Sequence, residues 1–384
     1  MSGKHKLSRR QWLIATAVSL SGCGGGDSST AGLPGTGGTG IGVDGVVRGF
    51  GSVMLNNTHF DESTARINID GIAKSAADLR IGMLAKIVGT KNISTSTGVA
   101  ASIDIWSTFI GQVTAINISA NTLEIAGVTV LSAPSTVFSG ITNFAGVSVG
   151  MWVSIWALQA SVDASRWQAS RIQLLVAYAG PTITTGILHV AGPLSQVNNL
   201  LLAGSVTSNL YNLKMVRVQG ALAGPTLTAT QVTVLVPLQA LSSNDDVELE
   251  GLVTSIGSAV NFYAGGQLVD ATNATISPSN HVLTVNDQLV VTGVIVNDVL
   301  NAKKIDIKTT TALSSVDITG LVEHIDASSP IEFSVRGQRF SVGSGTIVTG
   351  GLVAAMVVGQ KVRAQGRISG EDAIVASNLN LNVP

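Results

Sequence analysis

Ser148 stands in a Gly-x-Ser-x-Gly pattern together with Gly146 and Gly150. In hydrolases this pattern holds a nucleophilic serine on a sharp strand-to-helix turn, where histidine and carboxylate partners activate it. Here it precedes a short alternating segment typical of a strand. We therefore rank a serine hydrolase at Ser148 as the least favoured function and predict that the protein is not an enzyme.

Two further patterns suggest ligand binding, and their sequence context argues against both. Gly-x-Gly-x-x-Gly over residues 35–40 lies in a Gly/Ser/Thr-rich stretch, whereas a dinucleotide site needs a strand before it and a helix after it. Four histidines after residue 23 have no second His or Cys at metal-ligand spacing: His59, His189, His281 and His324. We predict neither a cofactor nor a metal.

An acidic run occupies residues 245–250, with Asp245, Asp246, Glu248 and Glu250. Carboxylates at alternate strand positions are possible Ca²⁺ ligands, but the spaced Asp/Asn ligands and glycine of a calcium loop are missing. The favoured interpretation is a solvated strand at a junction between repeats.

Tryptophans are concentrated in one part of the chain. Trp152 and Trp156 are four residues apart on a predicted strand, so they share a face, and Trp167 follows a turn that makes it a hairpin neighbour. These three residues are the candidate binding surface, because aromatic platforms stack sugars or apolar partners. The alternative is that another repeat covers them.

Cys23 is the only cysteine, and it ends a segment with three zones. A basic stretch with Lys4, Lys6, Arg9 and Arg10 precedes an apolar run from Trp12 to Leu20, followed by Ser21 and Gly22. Basic, apolar and small is the layout of a secretory signal peptide. The apolar run is about half of the roughly 20 residues that a membrane span needs.

Leu20-Ser21-Gly22-Cys23 resembles the lipobox of bacterial lipoproteins. The resemblance implies cleavage before Cys23 and lipidation of Cys23, which anchors the chain to a membrane. Residues 8–13 resemble the twin-arginine export motif, and an ordinary basic signal region is an equal alternative. Gly24 in place of aspartate favours the outer membrane by the same resemblance; which face of that membrane the protein occupies stays open.

Composition excludes one class of partner. Without the four basic residues of the signal, 18 of the 22 Lys and Arg remain against 23 acidic residues, a net charge near −5. Nucleic-acid binding needs a basic surface, so we predict no nucleic-acid partner. Hydrophobic residues make up 45% of the chain and charged residues only 12%, which favours a β-rich exported protein.

The chain also repeats itself. Five segments begin with glycine and alternate afterwards, at Gly45, Gly111, Gly186, Gly251 and Gly320, and each later carries an alternating strand that usually ends in glycine. The predicted organisation is a signal peptide at 1–22, a flexible linker at 23–44, and β repeats at 45–110, 111–185, 186–250, 251–319 and 320–384.

Each repeat contains about five short alternating segments separated by turn residues. In the first repeat, Ser75-Ala-Ala-Asp78 resembles a helix cap after the third segment. We therefore predict an all-β tandem array of five small antiparallel five-stranded units, with OB-like barrels favoured over small sandwiches.

Gly49-Phe50-Gly51-Ser52-Val53, His59-Phe60-Asp61 and Asp78 to Met83, together with the lipobox, resemble a bacterial lipoprotein-associated repeat family, a domain of unknown function. That family implies an architecture and a location but no activity. The sequence thus leads us to expect a lipid-anchored envelope protein, built as an elongated arm, that binds an envelope protein or polysaccharide. A purely structural spacer of stacked repeats is the alternative.

Overall fold

The computed structural model describes residues 39–92, 94–204, 211–235, 245–258, 260–327, 330–370 and 373–383. Cys23, the predicted signal peptide and most of the predicted linker lie outside these residues. The first strand begins at Thr39, so residues 39–44 of the predicted linker are strand. Ile41 and Val43 explain this difference, because they are buried where the strand pairs with two others.

Within the described residues, thirty strands form five consecutive β units. Unit 1 contains β1 (Thr39–Val46), β2 (Gly49–Phe50), β3 (Val53–Leu55), β4 (Thr58–Asp61), β5 (Arg66–Ile69), β6 (Ile72–Lys74), β7 (Leu84–Asn92) and β8 (Thr97–Ile105). Unit 2 contains β9 (Phe109–Asn117), β10 (Thr122–Ile125), β11 (Val128–Ser139), β12 (Trp152–Gln159) and β13 (Arg166–Leu174).

The remaining three units follow in order. Unit 3 contains β14 (Thr182–Ala191), β15 (Leu194–Val197), β16 (Leu200–Gly204), β17 (Met215–Ala223) and β18 (Thr226–Val234). Unit 4 contains β19 (Asp246–Ile256), β20 (Asn261–Ala264), β21 (Gln267–Asp270), β22 (Thr275–Ser277), β23 (Gln288–Val296) and β24 (Val299–Ile307). Helix α1 (Thr310–Ser314) leads into unit 5, with β25 (Ser315–Asp326), β26 (Ile331–Val335), β27 (Gln338–Val342), β28 (Ile347–Thr349), β29 (Lys361–Arg367) and β30 (Ala373–Asn380).

Unit 2 shows the pairing that defines the units. Its first strand β9 pairs antiparallel with β10, which pairs antiparallel with β11. Strand β11 runs parallel to β13, β13 pairs with β12, and β12 returns to β9, so the five strands close into a ring. Unit 3 closes in the same way. The prediction of an all-β chain of small, OB-like barrel units is therefore confirmed.

A glycine within the next-to-last strand of four units has a structural cause. At Gly89, Gly220, Gly293 and Gly366 the register to the last strand shifts by one residue. A β-carbon at these positions would lie only 2.1–2.5 Å from a carbonyl oxygen of that strand. Only glycine fits such a close bulge, and unit 2, which has Ala157 at its shift, is the exception.

The capping pattern of unit 1 also appears as predicted. The Ser75 backbone N–H donates to Asp78 Oδ2 at 2.9 Å and opens the one-turn 3₁₀ helix Ala76–Asp78. No helix among the described residues has the length and apolar character needed to cross a membrane.

Some units contact units that are distant in sequence, so the prediction of an elongated arm is wrong. Strand β1 pairs parallel with β19 of unit 4, and β2 pairs parallel with β25 of unit 5. One buried apolar cluster joins units 1 and 5, another joins units 2 and 3, and unit 4 has its own. Unit 1 therefore joins units 4 and 5, which are distant from it in sequence.

Candidate functional site

Units 1 to 4 meet around a cavity of about 250 Å³, which we call the central cavity. Apolar side chains form much of its wall, and two tryptophans, Trp106 and Trp167, lie among them. Charged residues from three units also line it. The described charged lining consists of Asp44, Lys86, Asp104, Arg217 and Glu250.

Three of these residues come from neighbouring strands of unit 1. Asp44 on β1 lies opposite Lys86 on β7, and Lys86 lies opposite Asp104 on β8. Because directly paired residues point to the same face of a sheet, the three side chains form one charged row along the outer face of the barrel.

Arg217 brings unit 3 to the same cavity. Its Nη2 donates to Asp70 Oδ1 at 2.5 Å, and Asp70 also accepts from the Ser107 N–H at 2.9 Å. The guanidinium carbon lies 4.8 Å from the centre of the Trp106 ring, a cation–π distance. Burial lowers the pKa of Arg217, while the Asp70 carboxylate opposes this shift. Trp106 remains 41% exposed, which makes it the accessible aromatic residue of the cavity.

Glu250 belongs to a buried ionic network between units 1 and 4. Its side chain accepts from Arg48 Nη2 at 2.7 Å, from the Val46 N–H at 2.9 Å and from Gln288 Nε2 at 2.8 Å. Burial alone would raise the pKa of Glu250, but the Arg48 charge and the hydrogen bonds from Val46 and Arg48 lower it below its ordinary value. Glu250 is therefore held as a carboxylate although it is only 2% exposed.

This network corrects the prediction that the acidic run is a solvated strand. Glu248 is 5% exposed and forms an ion pair with Lys91 of unit 1. Asp246 forms an ion pair with Lys303 at 2.6 Å. The physical reason is the parallel pairing of β19 with β1, which brings unit 1 over the acidic face of β19.

The pKa of Asp44 is shifted in the opposite direction to that of Glu250. Burial raises the pKa of its carboxyl group, Lys86 lowers it and Glu250 raises it further. Asp44 is thus the acidic group of the cavity that a cationic ligand would stabilise most.

The three tryptophans of the candidate binding surface do not form one exposed face. Trp156 is 3% exposed and belongs to the buried cluster of units 1 and 5, and Trp167 is 6% exposed beside Phe109. Trp152 is half-buried and packs on Tyr178 at 5.1 Å between ring centres. Trp156 does point out of its own barrel, as its spacing predicts, but unit 1 covers it.

The contact that covers Trp156 is specific. Ser170 Oγ donates to the Gly82 carbonyl at 2.7 Å, and Arg171 Nη1 donates to the Ile81 carbonyl at 3.1 Å. A β-carbon on Gly82 would lie 2.7 Å from the Ser170 carbonyl oxygen. The turn of unit 1 that precedes β7 is therefore docked tightly on β13 of unit 2.

The other candidate residues lie apart from the central cavity. Ser148 is exposed in a turn, and its backbone N–H points to Met151 Sδ at 3.3 Å. His59 contacts Ser52 Oγ in unit 1, and His281 contacts Asp287 in unit 4. In the part of the chain that the structure describes, no group of three His, Cys, Asp or Glu side chains is placed to hold a metal.

Sequence reasoning missed Asp44, Lys86 and Arg217. The available signal was a charged residue at an outward position of an otherwise apolar strand. That signal does not reveal which strands of different units face each other, and the central cavity depends on that arrangement.

Comparison with known proteins finds a family match in two of the units. A domain of unknown function (DUF5666) matches residues 110–173 and 319–379. The first DUF5666 match spans the barrel of unit 2, and the second spans unit 5 from within β25 to within β30. Two separate segments of the chain therefore match this domain.

The other comparisons add no function. No curated protein matches this chain. Among solved structures, drosophila Unr CSD456 aligns with 72% of this chain and 97% of its own length, at 9% identity and a TM-score of 0.14. A TM-score of that size carries no argument.

Proposed function

We propose that this protein is a non-catalytic binding module of the bacterial cell envelope, exported and lipid-anchored to the outer membrane through Cys23. Its partner, an envelope protein or polysaccharide, places a protruding group in the central cavity. The observation that carries the proposal is a cavity built by four units, with a partly exposed tryptophan and an excess of carboxylates.

The lining favours a group with an apolar body and one positive charge. The described wall has three carboxylates, from Asp44, Asp104 and Glu250, against the two cations of Lys86 and Arg217. Trp106 offers a surface for an apolar or cationic group. The positive charge of the ligand, added to that of Lys86, would compensate the burial of the Asp44 carboxylate. The side chain of a lysine or arginine on a partner protein has this chemistry.

Tryptophan fluorescence of the mature lipoprotein tests this proposal. The probes are the tetrapeptides Gly-Lys-Gly-Gly and Gly-Glu-Gly-Gly and the neutral sugar maltotetraose. We expect the lysine peptide alone to change the emission, and Asp44→Asn to weaken its binding about tenfold. The matched control is Asp317→Asn, which removes a carboxylate from unit 5. Equal binding of the acidic peptide, or unchanged binding in Asp44→Asn, would contradict the proposed partner, and binding of maltotetraose alone would point to a polysaccharide.

Membrane anchoring has its own test. Cells grown with radiolabelled palmitate should incorporate label into the wild-type chain and not into Cys23→Ser, and the variant should leave the outer-membrane fraction. Label on the variant would contradict the anchor.

A structural spacer is the second candidate function, because Trp156 and the ion pairs of Glu248 and Glu250 bind units to one another. The spacer hypothesis predicts that neither peptide nor maltotetraose changes the tryptophan emission. For the least favoured function, hydrolysis, a fluorophosphonate probe should leave Ser148 unlabelled, and labelling at Ser148 would make the protein an enzyme.

A further inference from the structure

A second cavity, of about 290 Å³, lies between units 1 and 4. Unit 1 contributes two hairpin turns, around Asn56 and around Ser96, and unit 4 contributes the outer face of β19, β23 and β24. None of its described lining residues belongs to the central cavity. We call it the polar cavity, because most of its lining side chains carry a charge or an amide or hydroxyl group.

Unpaired polar atoms are concentrated at this cavity. Among the described residues, five buried side-chain polar atoms have no hydrogen-bond partner, and three of them belong to its lining: Asn56 Oδ1, Thr58 Oγ1 and Glu248 Oε2. Thr58 is 1% exposed, and Glu248 is nearly as buried. A buried acceptor without a donor is costly, so native proteins keep few of them without a function or a bound group.

The lining of the polar cavity also includes a lysine without a close partner. Lys308 is half-buried, and no carboxylate of the described residues lies within ion-pair distance of its ammonium group. Burial lowers the pKa of Lys308, and Glu250 is the carboxylate that opposes this shift most. A negative group bound beside Lys308 would therefore stabilise its charged form.

The charged lining is balanced overall. Lys91, Lys304 and Lys308 face Asp246, Glu248 and Asp306. Lys91 already pairs with Glu248, and Lys304 with Asp306 at 2.7 Å. Asp246 pairs at 2.6 Å with Lys303, which lies outside the lining, so Lys308 is left without a carboxylate and Glu248 Oε2 is left without a donor. A ligand that carries both charges would satisfy both groups. The volume is just below the roughly 300 Å³ at which pockets for drug-sized ligands begin, so the ligand is small.

We propose that the polar cavity binds a small zwitterion of the amino-acid class, with its ammonium group toward Glu248 and Thr58 and its carboxylate toward Lys308. An ammonium group has three N–H donors and no acceptor, which matches a set of unpaired acceptors. This site is independent of the function proposed for the central cavity.

Calorimetric titration of the full mature chain tests the proposal with three matched probes. L-Alanine carries both charges, propionate lacks the ammonium group and ethylamine lacks the carboxylate. We expect L-alanine to bind in the millimolar range or tighter, and each half-ligand to bind at least about tenfold more weakly. Absence of L-alanine binding in that range, or equal binding of propionate, would overturn the proposal. Binding of glucose in place of L-alanine would also overturn it, because the site would then select a neutral polyol.

Variants separate the roles of the two ends of the cavity. Lys308→Met should weaken L-alanine binding about tenfold and leave ethylamine binding unchanged. Thr58→Val removes a hydroxyl with little change of shape and should weaken binding of L-alanine and ethylamine alike. Asp44→Asn, in the central cavity, is the control that should leave L-alanine binding unchanged, which distinguishes failure here from failure of the proposed function. Unchanged L-alanine affinity in both Lys308→Met and Thr58→Val would overturn the site.

Discussion

The first strands of units 4 and 5 have the same place in their barrels and different surroundings. Strand β19 pairs antiparallel with β23 of its own unit and parallel with β1, and β25 pairs antiparallel with β29 and parallel with β2. Yet β19 is buried along almost its whole length, whereas β25 alternates between buried and accessible positions. The contact with unit 1 is longer in β19, with four paired residues against two.

The acidic residues of the two strands follow this difference. Gly251 and Gly320 align the strands, which places Glu248 at the position of Asp317. Glu248 pairs with Lys91 of unit 1, whereas Asp317 pairs with Arg363 of its own unit at 2.6 Å, on a half-exposed guanidinium. The same outward carboxylate thus pairs with another unit in unit 4 and within its own unit in unit 5. The neighbouring unit, and not the local sequence, decides its role.

Breaking the buried network should have the largest effect. Glu250→Gln leaves the Arg48 guanidinium buried without its carboxylate, so we expect a loss of about 3–5 kcal/mol in the free energy of unfolding, measured by urea denaturation. Asp317→Asn, a comparison change in unit 5, should cost at most about 1 kcal/mol because its partner Arg363 is half-exposed.

The double variant Arg48→Met/Glu250→Leu should recover most of that loss, since it removes both buried charges together. A Glu250→Gln variant as stable as Asp317→Asn would show that the two carboxylates do not differ in the way their surroundings indicate.

Two buried threonines allow the stability effect of a contact within a unit to be compared with that of a contact between units. Thr136 in unit 2 accepts from the Ala133 N–H at 2.9 Å and donates to the Ala169 carbonyl at 2.7 Å, so Thr136→Val should cost about 1–3 kcal/mol. Thr58 at the border with unit 4 has no such partner, so Thr58→Val should stabilise the ligand-free protein by about 1 kcal/mol. Urea denaturation measures both, and destabilisation by Thr58→Val would mean that its hydroxyl is satisfied.

Asp44 and Glu250 line one cavity with opposite pKa shifts, which gives a test by pH. Because burial raises the pKa of Asp44 in the folded protein above its ordinary value of 3.8, its contribution to stability is full below about pH 3.8 and is lost as the pH rises through the raised value. Asp44→Asn should therefore be more stable than wild type at neutral pH, and this advantage should vanish in acid. Denaturation series at several pH values measure the difference.

Glu250 should show the reverse dependence. Its folded pKa lies below its ordinary value of 4.5, so its contribution is present above about pH 4.5 and is lost as the pH falls through the lowered value. A wild-type protein whose stability advantage over Glu250→Gln persists in strong acid would contradict the ionic network.

The smallest effect concerns the spectra of the tryptophans. Trp156→Phe should remove a blue-shifted emission that acrylamide does not quench, because unit 1 covers this side chain. Trp106→Phe should remove a red-shifted, quenchable emission. Strong quenching of Trp156 would mean that units 1 and 2 separate in solution.

The sequence by itself determined the β class, the five strand sets and several local devices. Alternation with period two set which residues face each barrel interior, the glycines at the register shifts allowed close strand contacts, and Ser75 and Asp78 specified a short helix. These features depend on residues a few positions apart or on paired strands within one unit, so their signal is present in the local sequence.

Only the tertiary structure decided what covers the outer face of each barrel. An outward residue obeys the same alternation whether water or another unit lies against it, so the sequence did not distinguish buried Glu250 and Trp156 from Asp317, whose partner Arg363 is half-exposed. Unit 1 contacts unit 4 across some 200 residues of chain, as the separation of Arg48 and Glu250 shows. Both cavities arise from that long-range packing, because each is lined by residues that no local pattern brings together.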